Sequence, residues 1–288
     1  MILLGLAAGA VLALCWAERR RPLRPRVDDG WSRTVANTTL AAATAAVSAL
    51  VDRPLTSALA RRADARGQGL LKRLRLPPGV ELVLALLALD YALYLWHVAL
   101  HRVGWLWRAH VVHHSDLELD STTALRFHAG EIVASVAWRT ALVRVAGIGL
   151  RPLTLYQRVL FFAVVFHHSN LRLPLGLERL LSRIVVTPRL HGIHHSQVQD
   201  ETDSNWASVL TLWDRLHGTL RTDVPQGAIA IGLPGYPREM GTGELLALPF
   251  GRQPDAWSDA PHRLPLDPAR HLPDDGVPAP LARPGGRP

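Results

Sequence analysis

Histidine residues are concentrated in three short segments of this chain, which we call the histidine boxes. The boxes are His97–His101, His110–His114 and His191–His195, and they hold eight of the fourteen histidines. Imidazole is the commonest metal ligand among protein side chains. Because residues three and four apart share one face of a helix, each box can direct two or three ring nitrogens at one point. The spacing therefore predicts a metal centre with the ligands His97, His101, His110, His113, His114, His191, His194 and His195.

The number of histidines indicates more than one ion. The third box repeats the spacing of the second, since both read His-x-x-His-His. A zinc site uses about four ligands, so eight imidazoles exceed what one ion needs. Neutral imidazole suits zinc, copper, iron and nickel. From the residues alone we expect two ions, without a choice among these metals.

Three further histidines lie between the second and third boxes. His168 follows the apolar run Leu153–Phe166, so its ring can hang into the same cavity, and we predict it as a ninth ligand. His167 would point about 100° away around a helix and is expected to be only a neighbour. His128 is expected either to bind metal or to support a ligand, and we count it among the candidate catalytic residues.

Asp90 is the second candidate catalytic residue. It shares a helix face with His97 and His101, because the steps through Tyr94 are four, three and four residues. A carboxylate in this position can orient a histidine ligand or balance the charge of the site. The alternative is an ordinary ion pair at the membrane edge with an arginine of the 102–108 region.

Composition indicates a membrane protein with basic polar segments. The chain has 288 residues, of which 48% are hydrophobic, and its mean hydropathy is +0.10. The net charge of +8 could attract nucleic acid or anionic lipid, but no RNA-binding aromatic motif or recognition helix is evident, and we expect no nucleic-acid partner. The single cysteine, Cys15, excludes an internal disulfide framework and a thiolate metal cluster.

The apolar runs predict an all-α protein with about four transmembrane helices. A stretch of about 20 apolar residues is long enough to cross a bilayer. The candidate spans are Met1–Ala17 as a retained anchor, Val35–Val51, Glu81–Leu100, Ile132–Leu150 and the shorter Leu153–Phe166. The basic runs Arg19–Arg26 and Arg61–Arg75 both favour the cytoplasmic side, although only one candidate span separates them. The orientation stays open at this point.

Three regions are predicted along the chain. Residues 1–78 contain membrane anchor helices and the basic linker Arg61–Arg75, and residues 79–222 contain the chemistry. Residues 223–288 are rich in proline, and we expect the tail Gln253–Pro288 to be extended or disordered. His217, His262 and His271 lack partners and are expected to be surface residues.

From about Asp90 to Leu220 the chain resembles the fatty acid hydroxylase superfamily, also called the sterol desaturase family. The resemblance includes the three boxes, the motifs Thr123-x-x-Arg126-x-His128 and His168-Ser-Asn170, and the block Leu212-Trp-Asp-Arg-Leu-x-Gly-Thr219. The last block is the most specific, because no general metal site requires it.

The resemblance implies an integral membrane enzyme with a cytoplasmic histidine-rich helical cap. In such proteins the boxes hold two non-haem iron ions, which use O2 to hydroxylate or desaturate fatty acyl chains, sterols or isoprenoids. It implies that the eight box histidines and His168 are the ligands. Some relatives carry a further histidine where this chain has Val164. Since the chain has no flavin, nicotinamide or fused haem motif, we expect a separate ferredoxin, cytochrome or flavoprotein reductase as electron donor, and we lean to hydroxylation.

Three other interpretations are weighed against this one. A membrane zinc hydrolase needs a general base beside its ligands, as in His-Glu-x-x-His, but Val98, Val111 and Gly192 follow the first histidine of each box. A non-catalytic membrane scaffold could keep the metal site without turnover. Histidines on facing helices could also bind haem.

Overall fold

The described part of the chain, residues 2–27 and 30–257 of a computed structural model, is helical, which confirms the all-α class predicted from the sequence. Within these residues the only extended pairings are three isolated bridges. The helices are α1 (Ile2–Arg20), α2 (Trp31–Val47), α3 (Arg53–Arg66), α4 (Leu70–Arg73), α5 (Pro78–Arg102), α6 (Gly104–His114), α7 (Ala129–Ala146), α8 (Leu150–His168), α9 (Leu175–Leu181), α10 (Pro188–His194), α11 (Gln199–Thr202), α12 (Leu212–His217) and α13 (Thr242–Ala247).

Two helical segments in the described part are long and apolar enough to cross a membrane. One covers Trp31–Arg73, with a mean hydropathy of 1.4 in its most apolar window, and the other is α5, with 1.8. A π-helical turn, Ser48–Asp52, joins α2 directly to α3. The length and composition of these two segments agree with two of the spans expected from the sequence.

The long helices form a bundle with two distinct ends. Leu150, which begins α8, donates its backbone N–H to Asp64 near the end of α3, at 2.9 Å. At the opposite end, Arg24 donates its backbone N–H to Asn170, just after α8, at 2.9 Å. Helices α5 and α8 therefore run from the first end to the second, and α2, α3 and α7 run back. The two basic runs of the sequence lie at opposite ends of the bundle.

The basic run Arg61–Arg75 was expected to be a linker, and this expectation is wrong. The segment continues α3 to Arg66 and resumes as α4 after Gly67, whose φ of 58° ends the helix. Arginine, alanine and leucine are strong helix formers, which explains why the segment is helical. Its charged side chains lie on the exposed side, while Ala60 and Ala63 are buried. The pattern of charges alone suggested a linker, although the segment is helical and its uncharged face packs against the bundle.

Short helices form a cap over the end of the bundle that carries Arg24 and Asn170. Asp214, in the family-specific block, accepts the backbone N–H groups of Trp206 and Ala207 at 3.0 Å each. Asn205 has a φ of 53° and bonds through its side chain to the carbonyl groups of Leu190 and Arg221 at 2.9 and 2.8 Å. These contacts hold the loop before α12 against α10, which carries the third histidine box.

Residues 223–257 pack against the bundle and the cap. Leu233, Tyr236, Met240 and Leu245 are buried in one cluster with residues of α2 and α6. Residues 258–288, including His262, His271 and most of the predicted extended tail, lie outside the described residues.

Candidate metal centre

The histidines form two buried groups between α5, α6, α8 and α10. The first group, which we call the five-histidine group, is His97, His101, His110, His114 and His194. The second, the four-histidine group, is His113, His168, His191 and His195. In each group one nitrogen per ring lies within 4.8 Å of all the others. The two groups together contain the nine histidines predicted as ligands.

In the five-histidine group, four ring nitrogens are buried without a hydrogen-bond partner. They are the Nε2 atoms of His101, His110, His114 and His194. A buried polar atom without a partner is costly, and such atoms are rare in native proteins. Four unpartnered ring nitrogens this close together are accounted for when a cation lies between them and each ring offers it a lone pair.

The four-histidine group is also arranged for a bound cation. His113 and His168 donate Nδ1–H to the backbone carbonyl groups of Arg126 and Val164, at 3.2 and 2.8 Å. A neutral imidazole has one N–H, so both Nε2 atoms carry lone pairs. These two atoms face each other at 3.1 Å. Two lone pairs at this distance repel unless a positive ion binds both.

The nitrogen spacing of this group matches a metal ion. The Nε2 atom of His191 is 2.9 Å from that of His168 and 3.1 Å from that of His195. For an ion held at about 2.1 Å from each nitrogen, ligands at right angles lie about 3.0 Å apart. The donor set and its spacing therefore fit one metal ion.

The two groups lie next to each other. His113 and His114 are consecutive residues in different groups, and so are His194 and His195. The rings of His114 and His195 are stacked with their centroids 4.4 Å apart. Each His-His pair at the end of a box thus supplies one ligand to each group, which explains the repeated His-x-x-His-His spacing.

Hydrogen bonds on the far side of the rings orient the five-histidine group. His97 donates Nδ1–H to the carbonyl of Trp206 at 2.7 Å, and His194 donates to that of Ser204 at 2.8 Å. The Nδ1 atom of His110 is 3.1 Å from Glu131 Oε2. Outer partners of this kind fix the tautomer and direction of a ligand histidine. The loop of Ser204 and Trp206 is the one held by Asp214 and Asn205.

Burial keeps the cap histidines neutral. It lowers the pKa of His194 to about 3 and holds the pKa values of His114 and His195 well below their usual value, with neighbouring histidines adding to the effect at His114 and His195. A metal ligand must offer a lone pair, so these rings are ready to bind at neutral pH without losing a proton.

The sequence suggested that Asp90 either supports a histidine ligand or pairs with an arginine, and its contacts in the structure are different. Its carboxylate accepts hydrogen bonds from Tyr156 Oη at 2.9 Å, Trp213 Nε1 at 2.7 Å and the backbone N–H of Leu210 at 3.2 Å. It pairs with no arginine among the described residues. It joins α5 to α8 and α12, which is a structural task, and the predicted part in catalysis has no support in these contacts.

His128 is placed at the start of α7, outside both histidine groups. Its Nδ1 accepts the backbone N–H of Gly130 at 3.0 Å, as a helix N-cap, and its Nε2 donates to the carbonyl of Leu246 at 3.2 Å. In this position the side chain satisfies the helix terminus, and a ligand or catalytic role of His128 stays a prediction.

Glu131 is the site residue that sequence reasoning missed. It is 4% exposed, and it comes 21 residues after the histidine that it contacts. No local spacing connects a residue in the first turn of α7 with the second box. Only its position three residues after His128, a residue already singled out, could have drawn notice.

His167 is buried beside the four-histidine group without belonging to it. Its Nδ1 donates to the carbonyl of Ser208 at 3.0 Å, and its ring centroid is 4.1 Å from that of His191. The expectation that it is a neighbour of the ligands agrees with this position.

Buried imidazole groups of this kind are typical of a histidine-rich metal centre, and comparison with known proteins shows which family the chain resembles. Residues 82–219 match the family model described as fatty acid hydroxylase. This match confirms the resemblance that was recognised from the sequence.

Several curated proteins are similar to the chain. Ornithine lipid hydroxylase OlsE of Rhizobium tropici is 31% identical over 62% of this chain and 52% of its own length. Human alkylglycerol monooxygenase is 30% identical over 48% of this chain and 30% of its own. The cholesterol 25-hydroxylase-like protein of Danio rerio is 34% identical over 50% and 58%. The chain thus spans about a third to a little over half of these relatives. No solved structure gives a significant match.

Proposed function

We propose that this protein is a membrane-bound oxygenase that hydroxylates a lipid, with two iron ions, O2 and electrons from a separate protein. The observation that carries the proposal is the convergence of nine buried imidazoles into two adjacent groups with the spacing of metal ligands. The family match and the names of the relatives, which are lipid hydroxylases and monooxygenases, supply the reaction class.

The ligand assignment follows the two groups. The five-histidine group would hold one ion and the four-histidine group the other, with His168 as the ninth ligand. When bound, a pair of iron ions would supply the oxidising power that an unactivated C–H bond requires. The overall reaction is R–H + O2 + 2e⁻ + 2H⁺ → R–OH + H2O, with the electrons coming from a ferredoxin, cytochrome or flavoprotein reductase.

A large cavity beside the four-histidine group is the proposed lipid pocket. Its volume is about 1290 Å³, and its walls come from α2, α5, α7 and α8. Phe127 lines it and also stacks on His113, with the ring centroids 4.4 Å apart. Apolar walls of this kind exclude water from the site of oxidation, and they accept an alkyl or isoprenoid chain.

The outer surface of the bundle supports entry of the substrate from the bilayer. Val133 and Val145 on α7 and Leu155 and Val159 on α8 are exposed, although they are apolar. Exposed apolar surface of this extent on long helices is typical of lipid contact. We propose that α7 and α8 join α5 and the α2–α3 segment as about four membrane spans, with the cap on the cytoplasmic side.

The direct test of the function is mass spectrometry of lipids from cells that express the protein and from cells that do not. The proposal predicts a product heavier by one oxygen, which disappears in a His191→Ala variant. A product lighter by two hydrogens would identify a desaturase instead. An unchanged profile in cells whose protein contains iron would favour a non-catalytic scaffold, and zinc in place of iron would favour a hydrolase.

The separate electron donor has its own test. We expect no turnover when the purified protein receives NADPH alone, and turnover when a reductase and its carrier protein are added. Turnover with NADPH alone would contradict a separate donor.

A further inference from the structure

The proposed lipid pocket is apolar at one end and polar at the other. Phe127, Val164 and Val165 line the end beside His113 and His168. The other end, toward the opposite side of the bundle, is lined by Asp52 and Arg139. A ligand that fills this pocket must be amphipathic in the same direction, with its polar group away from the histidines.

Asp52 and Arg139 form an ion pair at the polar end. Arg139 donates Nη1–H to Asp52 Oδ2 and Nη2–H to Ser135 Oγ, the latter at 3.1 Å. Asp52 is 3% exposed, yet its Oδ1 has no hydrogen-bond partner. A buried carboxylate oxygen without a donor is costly. Asp52 lines the cavity, and a ligand bound beside it would supply the donor as an O–H or N–H group.

The backbone at this point is unusual. Asp52 is the last residue of the π-helical turn that interrupts the α2–α3 rod. Such turns occur frequently at functional sites. Charged residues within apolar helices are also expensive, and they are kept mostly where they serve a substrate or ion. Both observations point to a ligand at the same carboxylate.

We propose that the Asp52–Arg139 pair binds the hydroxyl group of a long-chain lipid alcohol, whose chain extends to the two histidine groups. The hydroxyl would donate to Asp52 Oδ1 and accept from the Arg139 guanidinium. A carboxylate or phosphate would be repelled by Asp52, and an ether has no proton to donate. Arg53 and Arg158 also line the cavity, but both are exposed and belong to its mouth. This inference rests on the proposed function, because it names the substrate class of the same site.

The length of α7 sets the distance between the hydroxyl and the oxidised carbon. Arg139 lies eight residues beyond Glu131, which contacts His110, and eight residues of helix span about 12 Å. An extended chain advances about 1.2 Å per bond, as in an extended polypeptide. The carbon that reaches the histidines is therefore about ten or more bonds from the hydroxyl. In the overall reaction given above, the new hydroxyl replaces hydrogen on this remote carbon.

Binding can be tested without turnover. The full-length protein in phosphatidylcholine nanodiscs would be titrated with tritiated hexadecan-1-ol, its methyl ether and hexadecanoic acid, with empty nanodiscs as background. The wild-type protein should bind the alcohol about tenfold or more tightly than the other two ligands, as expected for hydrogen bonds to charged groups. Equal binding of the ether or tighter binding of the acid would overturn the inference, whatever the variants do.

Variants of the ion pair test whether the preference for the alcohol arises at Asp52 and Arg139. Asp52→Asn and Arg139→Gln should reduce alcohol affinity by about tenfold or more, while Arg144→Gln, on an exposed position of the same helix, should leave it unchanged. Unchanged affinity in a folded Asp52→Asn protein would overturn the assignment. If either variant fails to fold, the comparison of the three ligands on the wild-type protein decides the question.

The position of the new oxygen separates this inference from the proposed function. Hexadecan-1-ol should be oxidised about ten or more carbons from its hydroxyl, as read from product fragmentation. Oxidation at the second or third carbon would overturn the anchor while leaving lipid hydroxylation intact. Selective alcohol binding without any oxidised lipid would support the anchor and contradict the function.

Discussion

Backbone carbonyl groups fix the direction of several ligand histidines. Trp206, Ser204, Arg126 and Val164 each accept the Nδ1–H of one ring, which leaves the Nε2 lone pair to face its group. Substitution of a side chain leaves its backbone carbonyl group in place. The orientation of these rings therefore depends on the loops and helix ends that position the carbonyl groups.

Removal of one ligand from the four-histidine group should release iron without unfolding the protein. His113→Ala removes a nitrogen that lies 3.1 Å from that of His168. We expect iron to fall from about two ions per chain to one or fewer, while the protein stays in the membrane fraction. His217→Ala, at an exposed histidine outside both groups, is the matched control. Full iron content in the His113 variant would refute the assignment of the second box.

Glu131 is expected to strengthen metal binding through His110. Glu131→Gln keeps the size of the side chain but removes the charge that orients the ring. Loss of such an outer partner costs about 10–100-fold in metal affinity. Competition with a chelator measures this change, and Asp200→Asn, at an exposed carboxylate of the cap, should have no effect. Unaltered affinity in the Glu131 variant would show that the contact is incidental.

The spacing of the boxes predicted that these histidines lie together, but it did not divide them between the two groups. Helical periodicity tells which rings of one box share a face. The split of His113 from His114, and of His194 from His195, depends on how α6 and α10 approach each other in space. Periodicity also placed Asp90 on the face of His97 and His101, but only packing against α8 and α12 reveals that its partners are Tyr156 and Trp213.

At the scale of helices, Asp90 is expected to act on stability and not on iron binding. Asp90→Asn turns one acceptor oxygen into an amide donor, which leaves a buried N–H of Trp213 or Leu210, or the Tyr156 hydroxyl, poorly paired. The cost should be about 1–3 kcal/mol.

Thermal unfolding of the Asp90 variant in detergent, followed by circular dichroism, measures this cost. Iron per folded chain should stay at the wild-type value, and Asp223→Asn, at an exposed ion pair, serves as control. A stable Asp90 variant that lacks iron would restore the catalytic interpretation.

Helix positions were predicted well where hydropathy is continuous and poorly where charge dominates. The segment Pro78–Arg102 contains the predicted span Glu81–Leu100, and α8 contains Leu153–Phe166. The run Arg61–Arg75 was mistaken for a linker because its part of α3 buries only a small residue, Ala63, which carries little hydropathy signal. A helix that buries small residues against a neighbour is defined by packing more than by amphipathic pattern.

At the scale of the whole molecule, the two basic runs lie at opposite ends of the bundle, so the α2–α3 segment must cross the membrane if α5 does. In a Cys15→Ser background, Arg21→Cys on the cap side and Arg66→Cys at the other end provide exposed positions. A membrane-impermeant maleimide should label the Arg66→Cys protein in intact cells and the Arg21→Cys protein only in inside-out vesicles. Labelling of both from the same side would contradict the proposed topology.

The packing of residues 223–257 was beyond sequence reasoning. Proline and glycine indicate loss of regular structure, but they do not tell whether an irregular segment packs. Leu233 and Leu245 are fully buried against the bundle, and the carbonyl of Leu246 accepts a hydrogen bond from His128. The cap is therefore completed by a segment that composition alone assigned to the tail.

Metal analysis of the purified full-length protein tests the central claim most directly, because both histidine groups must be occupied by iron. Inductively coupled plasma mass spectrometry should find about two iron ions per chain, and Mössbauer spectra should show a coupled pair. A single iron ion, or zinc filling both groups, would contradict the account.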